Sequence, residues 1–241
     1  MWWQMPIRVD HEEWLDQGIG SPEAVAQSLA DLNRINRWLG GTGSLARHLY
    51  SRVQAWRPAP ITVLDLGAGG CAIPMAIVRW ARAQGISMRV FALDRQHRHL
   101  CWAQPWLREW PEIFLIQGDA YTPPFCEGEV DVVISSLFLH HFTETDLQRL
   151  LPAWVGIARR SVVMTDLIRH PLPYYFMKVA SPLFARSALT RHDAAVSVRR
   201  AYTPPELHAI AKAAGFPTAR LHLHFPYRMT LVIDKAKGSM A

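Results

Sequence analysis

Residues 61–70 of the chain read Ile-Thr-Val-Leu-Asp-Leu-Gly-Ala-Gly-Gly. The apolar run at the start is typical of a buried strand, and the glycines after it let a backbone turn pass close to a ligand. Ala72–Gln84 is strongly apolar, has Pro74 in its first turn and is followed by Gly85, which together predict a helix. A strand, a glycine turn and a helix in this order indicate an α/β fold.

Four further apolar runs alternate with helical segments, and this alternation predicts a mostly parallel sheet. We expect these strands at residues 88–94, 113–117, 130–137 and 161–167. Arg220–Phe225 and Tyr227–Asp234 are predicted to pair as a hairpin-like element at the end of the chain.

The chain is predicted to have four segments. They are an N-terminal helical arm or lid (1–59), an α/β core (60–167), an inserted substrate lid (168–202), and a C-terminal helix with the final strands of the core (203–241). In the arm, Ser21 as N-cap and Pro22 in the first turn predict a helix that ends before Gly40, and a second helix is expected at 44–56.

The composition excludes several classes of protein. Half of the 241 residues are apolar, which is enough to fill a core, so wholesale disorder is excluded. The net charge of +6 is mild and is not by itself typical of nucleic-acid binding. The three cysteines form no CxxC pair, which argues against a disulfide framework or a zinc ribbon. We expect neither a signal peptide nor a membrane span, and therefore a cytoplasmic protein.

Acidic residues stand at the ends of three predicted strands: Asp65, Asp94 and Asp119. In an open parallel sheet, ligands bind just beyond these ends. The stretch Gly67-x-Gly69-x-x-Ala72 formally matches a dinucleotide fingerprint and would suit NAD. Asp65, however, would repel a pyrophosphate, and the proline in the first turn of the next helix removes a phosphate donor.

A ligand with no phosphate, a cationic amino-acid end, a ribose and an adenine suits these acids better. S-adenosylmethionine (SAM) is such a ligand. Asp65 would hold its ammonium group, Asp94 its ribose hydroxyls and Asp119 its adenine amine.

At these positions the sequence resembles the class I SAM-dependent methyltransferases, over about residues 60–235. The matching segments are Asp65–Gly70, Asp94, Gly118–Ala120 and Ser135–Phe142. The last segment is most similar to the ubiquinone/menaquinone-type and small-molecule branch. The resemblance implies a Rossmann-like, seven-stranded, mostly parallel sheet with an antiparallel last strand and helices on both faces.

The resemblance also implies which residues contact the cofactor. We expect these to be Asp65, Gly67, Ala68, Gly69, Asp94, Arg95, Asp119, Ala120 and Ser135. Cys71 departs from the pattern, because the family often has a third glycine there. Arg95 departs as well, since an apolar residue often packs on the adenine at that position; an arginine plane would stack instead.

Other residues are candidates for the acceptor end of the site. Three histidines are candidate general bases, with packing or capping as the alternative: His140, His141 and His170. Five residues are candidate acceptor contacts, as an aromatic wall or as anion-binding arginines: Phe138, Tyr174, Tyr175, Arg199 and Arg200. A solvated surface is the alternative for the arginines. No metal site is predicted, since His222 and His224 lack a third ligand.

The sequence therefore predicts an enzyme that transfers a methyl group from SAM to a small aromatic or polyketide/quinone-like acceptor of secondary metabolism. Oxygen methylation with a histidine base is the leading hypothesis. The alternatives are methylation of carbon on a quinone-type ring, RNA methylation, and a non-catalytic SAM-binding scaffold. RNA is disfavoured because Ser135–Phe138 stands where base-methylating enzymes carry Asn/Asp-Pro-Pro-aromatic. A homodimer is possible.

Overall fold

A computed structural model describes residues 6–56 and 60–235 of the chain. The α-helices in this range are α1 (Pro22–Trp38), α2 (Gly41–Ala55), α3 (Ala72–Ala83), α4 (His97–Ala103), α5 (Glu144–Ile157), α6 (Pro171–Phe184), α7 (Ala188–Arg200) and α8 (Pro204–Ala213). The strands are β1 (Ile61–Leu66), β2 (Met88–Asp94), β3 (Ile113–Gln117), β4 (Val130–Ser136), β5 (Ala158–Leu167), β6 (Arg220–His224) and β7 (Arg228–Asp234). The predicted end of the arm, residue 59, lies outside the described residues.

The seven strands form one sheet in the order β3-β2-β1-β4-β5-β7-β6. Strands β1 to β5 pair in parallel, whereas β7 is antiparallel to both β5 and β6. The prediction of a seven-stranded, mostly parallel sheet with an antiparallel last strand is therefore confirmed. Because β7 runs in the opposite direction, its first residue, Arg228, pairs with Leu167 at the edge where the parallel strands end.

Helices cover both faces of the sheet because the central strands carry apolar residues on both sides. Val63 and Leu64, neighbours in β1, belong to different buried clusters. Val63 lies in a cluster with Leu49 of α2 and Ile77 of α3. Leu64 lies in the cluster of the other face, which includes Trp154 of α5. No helix in residues 6–56 and 60–235 has the combination of length and apolarity that a membrane span requires.

The insertion contains two helices, α6 and α7, that the sequence pattern did not predict. Its prolines are typical of an irregular segment, but Pro171 occupies the first turn of α6, where a proline is tolerated. Ser187 caps α7 by accepting a hydrogen bond from the Leu189 backbone. The helix predicted at 44–56 begins earlier, at Gly41, because Gly40 turns the chain in a left-handed conformation.

A lid lies over the carboxyl edge of the sheet. It is formed by α1, α6, α7 and the N-terminal segment, residues 6–20. Asp31 of α1 is fully buried and accepts a hydrogen bond from the backbone N–H of Arg186 between α6 and α7 (2.7 Å). Asp193 of α7 accepts one from the backbone N–H of Leu15 (3.1 Å). Buried carboxylates therefore join the parts of the lid to one another.

The turn between β1 and α3 requires glycine at its first position. Gly67 has a φ of 71°, and a Cβ atom there would lie 2.4 Å from the ring of Phe138. Cys71, at the position where the family often has glycine, adopts a φ of 58° and is fully buried. The turn therefore combines left-handed backbone with close packing against the segment that follows β4.

We predict that Gly67→Ala destabilises the fold much more than Gly85→Ala. Gly85 has a similar φ of 64°, but nothing lies within 4 Å of the position that the new methyl group would take, so this control isolates the backbone strain of about 1–2 kcal/mol. Gly67→Ala adds the clash with Phe138, which costs roughly 1–3 kcal/mol more. Urea unfolding of both variants measures the difference, and equal losses would mean that Phe138 does not pack on this turn.

Candidate functional site

One large cavity opens at the carboxyl edge of the sheet, beneath the lid, with a volume of about 310 Å³. Its floor comes from the ends of the parallel strands, and its roof comes from α1, α6, α7 and residues 6–20. Of the sequence-predicted residues, it is lined by Asp65, Gly67, Ala68, Gly69, Asp94, Arg95, Asp119, Ala120, Phe138, His140, His141 and Arg200. The fold thus brings together residues that are far apart in the chain.

Asp65 supplies a buried carboxyl group at the floor of the cavity. It is 2% exposed, and no residue in the described part of the chain donates a hydrogen bond to it. Burial raises the pKa of Asp65 well above its usual range, and the nearby charge of Asp94 raises it further. A cationic group bound here would remove this penalty, because it would compensate the carboxylate in a desolvated position.

Asp94, at the end of β2, holds the glycine turn and the start of α4. Its two oxygens accept hydrogen bonds from the backbone N–H groups of Gly69 and Gln96, both at 2.8 Å. The Nδ1 atom of His99 lies 3.3 Å from the same carboxylate. Asp94 therefore holds together the glycine turn and the turn that leads into α4, and it also faces the cavity.

The third acid follows β3. Asp119 is half-buried, lines the cavity and accepts a hydrogen bond from the backbone N–H of Tyr121 (2.9 Å). Arg95 is exposed at the rim. Ser135 does not fit the prediction: it is fully buried, its hydroxyl has no hydrogen-bond partner among the described residues, and it does not line the cavity. Because side chains alternate along a strand, Ser136 faces the cavity instead.

His140 is enclosed by two carboxylates. Its Nδ1 atom lies 2.7 Å from Oδ1 of Asp166 in β5, and its Nε2 atom lies 3.3 Å from Oε1 of Glu13. Burial alone would lower the pKa of His140, but the two acids outweigh it and raise the pKa to about 9. At neutral pH His140 is therefore an imidazolium ion, which cannot accept a proton from a substrate.

The same geometry argues against a metal ion at this position. Within residues 6–56 and 60–235, one group of side chains has ligand atoms close enough to share an ion: Glu13, His140 and His141. Both ring nitrogens of His140, however, face carboxylates, and a metal ligand must be deprotonated.

His141 differs from its neighbour. It is partly exposed to the cavity, and its Nδ1 atom lies 2.7 Å from Oδ2 of Asp16 in the lid. Burial raises the pKa of Asp16, but His141 and Arg200 outweigh it and lower the pKa to about 2. Asp16 is thus a carboxylate that accepts a hydrogen bond from Nδ1 of His141 and fixes the orientation of its ring.

Four predicted acceptor-site residues lie outside the cavity. His170 caps α6 by accepting a hydrogen bond from the Leu172 backbone (3.2 Å), and its ring stacks on Tyr227. Tyr174 packs against a buried apolar cluster of Ile35, Met177 and Val198, and Tyr175 is exposed. Arg199 lies on α7 but does not line the cavity. The helical phase explains these outcomes, since Met177 is the residue of α6 that faces the cavity.

Arg200 faces the cavity wall but is occupied by main-chain groups. Its guanidinium donates to the carbonyl oxygens of His11 (2.7 Å), His140 (3.2 Å) and His141 (3.0 Å). It therefore fastens the N-terminal segment to the turn after β4. These bonds make Arg200 a positioning residue rather than a free anion-binding group.

Arg228, which no sequence motif indicated, is a buried cation with unpaired donors. It is 1% exposed, it lines the cavity, and its Nε and Nη1 atoms have no hydrogen-bond partner in the described part of the chain. Burial lowers its pKa to about 10, so it stays charged at neutral pH, with Asp166 opposing the shift. The oxygens of Asp166 instead accept from His140 and from the Leu167 backbone.

The lid contributes further cavity residues that are not among the predicted site residues. They are Glu13, Asp16, Asn33, Asn36 and Met177. The signal for Arg228 is indirect: an antiparallel last strand must begin at the ligand-binding edge, so its first residues face the site.

Comparison with known proteins agrees with this architecture. Residues 63–160 match the family described as a methyltransferase domain. A malonyl-[acyl-carrier protein] O-methyltransferase of Legionella pneumophila is 30% identical over 120 residues, which are 49% of this chain and 39% of that protein. The aligned part of the chain thus spans about two fifths of that relative's length.

Solved structures share the fold across most of the chain. A SAM-dependent methyltransferase from Aquifex aeolicus has a TM-score of 0.59 at 14% identity, covering 90% of this chain and 100% of its own. The magnesium protoporphyrin IX methyltransferase of Synechocystis PCC 6803, solved with bound S-adenosylhomocysteine, has a TM-score of 0.57 at 16% identity, covering 82% and 84%. Residues 63–160 thus match a methyltransferase domain, and the described part of the chain has the fold of SAM-dependent methyltransferases.

Proposed function

We propose that the protein transfers a methyl group from SAM to an oxygen atom of a small-molecule acceptor. The observation that carries this proposal is one cavity with acidic side chains around the glycine turn and a buried guanidinium with unpaired donors beneath the lid. The acidic side chains of Asp65, Asp94 and Asp119 line the cavity near the glycine turn, whereas Arg228, with unpaired donors, and His141, held by Asp16, lie beneath the lid. A cationic cofactor suits the acidic end of the cavity and an ionisable oxygen the end beneath the lid.

The residues at the acidic end fit SAM. Asp65 would hold the ammonium group, Asp94 the ribose hydroxyls, and Asp119 the adenine amine. The ammonium group would compensate the buried carboxyl group of Asp65, which has no hydrogen-bond donor among the described residues. Arg95 would stack at the rim in place of the apolar residue of the family. When bound, SAM supplies an electrophilic methyl group on its sulfonium. The chain's own task is then to orient the acceptor oxygen and to exclude water.

The residues at the other end can prepare an oxygen nucleophile. We propose that the Nε2 atom of His141 takes the proton from the acceptor hydroxyl, with Asp16 fixing the ring. The Arg228 guanidinium would then stabilise the oxyanion, because its Nε and Nη1 atoms are unpaired donors in a desolvated position. Phe138 and Met177 would provide the apolar wall that a small aromatic or polyketide-like acceptor needs.

Oxygen is the acceptor atom that these groups favour over the alternatives. The name of the Legionella relative also specifies O-methylation. Methylation of a quinone-type ring carbon would use the same base but gives Arg228 less to stabilise. An RNA acceptor and a non-catalytic scaffold are the remaining alternatives. A carboxylic acid is a second candidate for the acceptor, because Arg228 would bind its carboxylate directly.

We predict that Asp94→Asn weakens SAM binding by about 10- to 100-fold, since a hydrogen bond to a charged group contributes roughly 1.5–3 kcal/mol. Calorimetric titration with SAM, S-adenosylhomocysteine and NAD measures this effect. Asp10→Asn, which changes an exposed acid, is the matched control and should bind SAM as the wild type does. Tight binding of NAD instead of SAM would contradict the cofactor assignment.

We predict that the contribution of His140 to stability is lost in alkaline solution. Its pKa rises from 6.5 in the unfolded chain to about 9 in the folded one, so the stabilisation is complete below pH 6.5 and disappears as the pH rises through 9. The difference in unfolding free energy between wild type and His140→Gln should therefore shrink by on the order of 2 kcal/mol between pH 7 and pH 10. His170→Gln serves as the control.

A constant difference across this range would show that His140 is not held as a cation. It would then have to be reconsidered as the base.

We predict distinct kinetic defects at the two proposed acceptor groups. A screen of phenols and carboxylic acids, read out by release of S-adenosylhomocysteine, identifies a working acceptor. With it, His141→Gln should lower kcat by roughly 10²- to 10⁴-fold, and Arg228→Gln should raise KM by about tenfold or more. His170→Gln should retain wild-type rates, because His170 caps α6 outside the cavity. Unchanged turnover in His141→Gln would exclude the base.

A further inference from the structure

Helix α6 carries an apolar face that points into solvent. Leu172, Phe176, Val179 and Leu183 recur at intervals of three or four residues, so they share one side of the helix. Val179 is 74% and Leu183 88% exposed, and Trp38 at the end of α1 is 66% exposed. We define the α6 face by the exposed apolar residues Trp38, Leu172, Tyr175, Phe176, Val179 and Leu183.

The α6 face adjoins the acceptor end of the cavity. A shallow apolar cleft lies between α1 and α6, lined by Ile35, Trp38, Phe176 and Phe184 among others. Ile35 also lines the large cavity, and Met177, the neighbour of Phe176, lines that cavity from above. The exposed apolar surface and the proposed methyl-transfer site are therefore two sides of the same lid.

The charges that the neighbouring segments contribute to this surface are basic. Residues 32–64 and 167–192, which contribute the end of α1 and the whole of α6, contain no aspartate or glutamate. Arg37, Lys178 and Arg186 are exposed beside the apolar side chains. A contiguous apolar patch with a basic rim is complementary to a surface that is apolar inside and anionic outside.

We propose that the α6 face docks on an anionic phospholipid surface. The apolar side chains of α6 would enter the boundary between headgroups and acyl chains, with the helix axis lying in the plane of the surface. The basic rim would contact the phosphates, each Lys or Arg adding to the attraction. No membrane-spanning segment is needed for this mode of binding.

A second copy of the chain fits the same face less well. A two-fold contact through α6 would place the same basic rim on both sides of the interface. No acidic residue of these segments is available to pair with them. Like charges facing one another oppose such an interface.

Docking would place the lid where amphiphilic acceptors concentrate. Met177 faces the cavity while Val179 and Leu183 of the same helix face the lipid, so a hydrophobic acceptor would have a short path from bilayer to site. This consequence rests on the proposed function. The docking itself does not, because vesicle binding is measured without any methyl transfer.

Co-sedimentation of the full chain with vesicles tests the proposal. We expect binding to an equal mixture of phosphatidylcholine and phosphatidylglycerol, weak binding to phosphatidylcholine alone, and release at high salt. The charge variant Lys178→Glu/Arg186→Glu should weaken binding by roughly 30-fold or more. The apolar variant Val179→Ser/Leu183→Ser should also lose binding, whereas Leu223→Ser/Phe225→Ser, at another exposed apolar site, should bind as the wild type does.

The SAM affinity and the oligomeric state of each variant separate the outcomes. All three double variants change exposed side chains, so unchanged SAM affinity in each confirms that the fold is intact. Absence of vesicle binding would overturn the proposal. Equal loss in the Leu223→Ser/Phe225→Ser control would overturn it as well. So would a wild-type chain that is dimeric and does not bind vesicles, if Val179→Ser/Leu183→Ser makes it monomeric.

Discussion

A protonated imidazole between two buried carboxylates joins the lid to the sheet. His140 follows β4, Asp166 belongs to β5, and Glu13 belongs to the N-terminal segment, so the three charges connect the strand ends to the roof of the cavity. In a desolvated position such an ion cluster is stable only when all its members are present. The charge state of His140 therefore contributes to holding the N-terminal segment over the cavity, together with Arg200 and Asp193.

The central sheet was predictable because its determinants are local. Residues 61–84 are enough to predict the first strand, the glycine turn and the helix after it. A short apolar run favours a buried strand, glycines favour a tight turn, and a first-turn proline favours a helix start, each without reference to the rest of the chain. The helices of the insertion were not predictable in the same way. Their apolar residues face solvent as well as the lid, which obscures the amphipathic period.

The site was predictable only where it follows the strands. Asp65, Asp94 and Asp119 line the cavity because each stands at the end of a parallel strand. Ser135 does not, since a shift of one residue along a strand reverses the side. Arg199 and Arg200 are separated by about 100° around their helix, and nothing in the sequence tells which one turns inwards. Asp16 and Arg228 depend on how the lid and the last strand close, which is tertiary information.

The distribution of charge along the cavity has a consequence for the proposed reaction. Acidic side chains surround the cofactor end, and a guanidinium with unpaired donors lies at the acceptor end, so the two ends of the cavity favour different groups. A sulfonium cation and an oxygen anion would each be favoured where the chain places the opposite charge. Methyl transfer between them cancels both charges, and the binding energy of the charged reactants would not be retained by the products. Arg228 would then again be a buried cation with unpaired Nε and Nη1 donors, and the penalty for that state favours entry of the next acceptor anion.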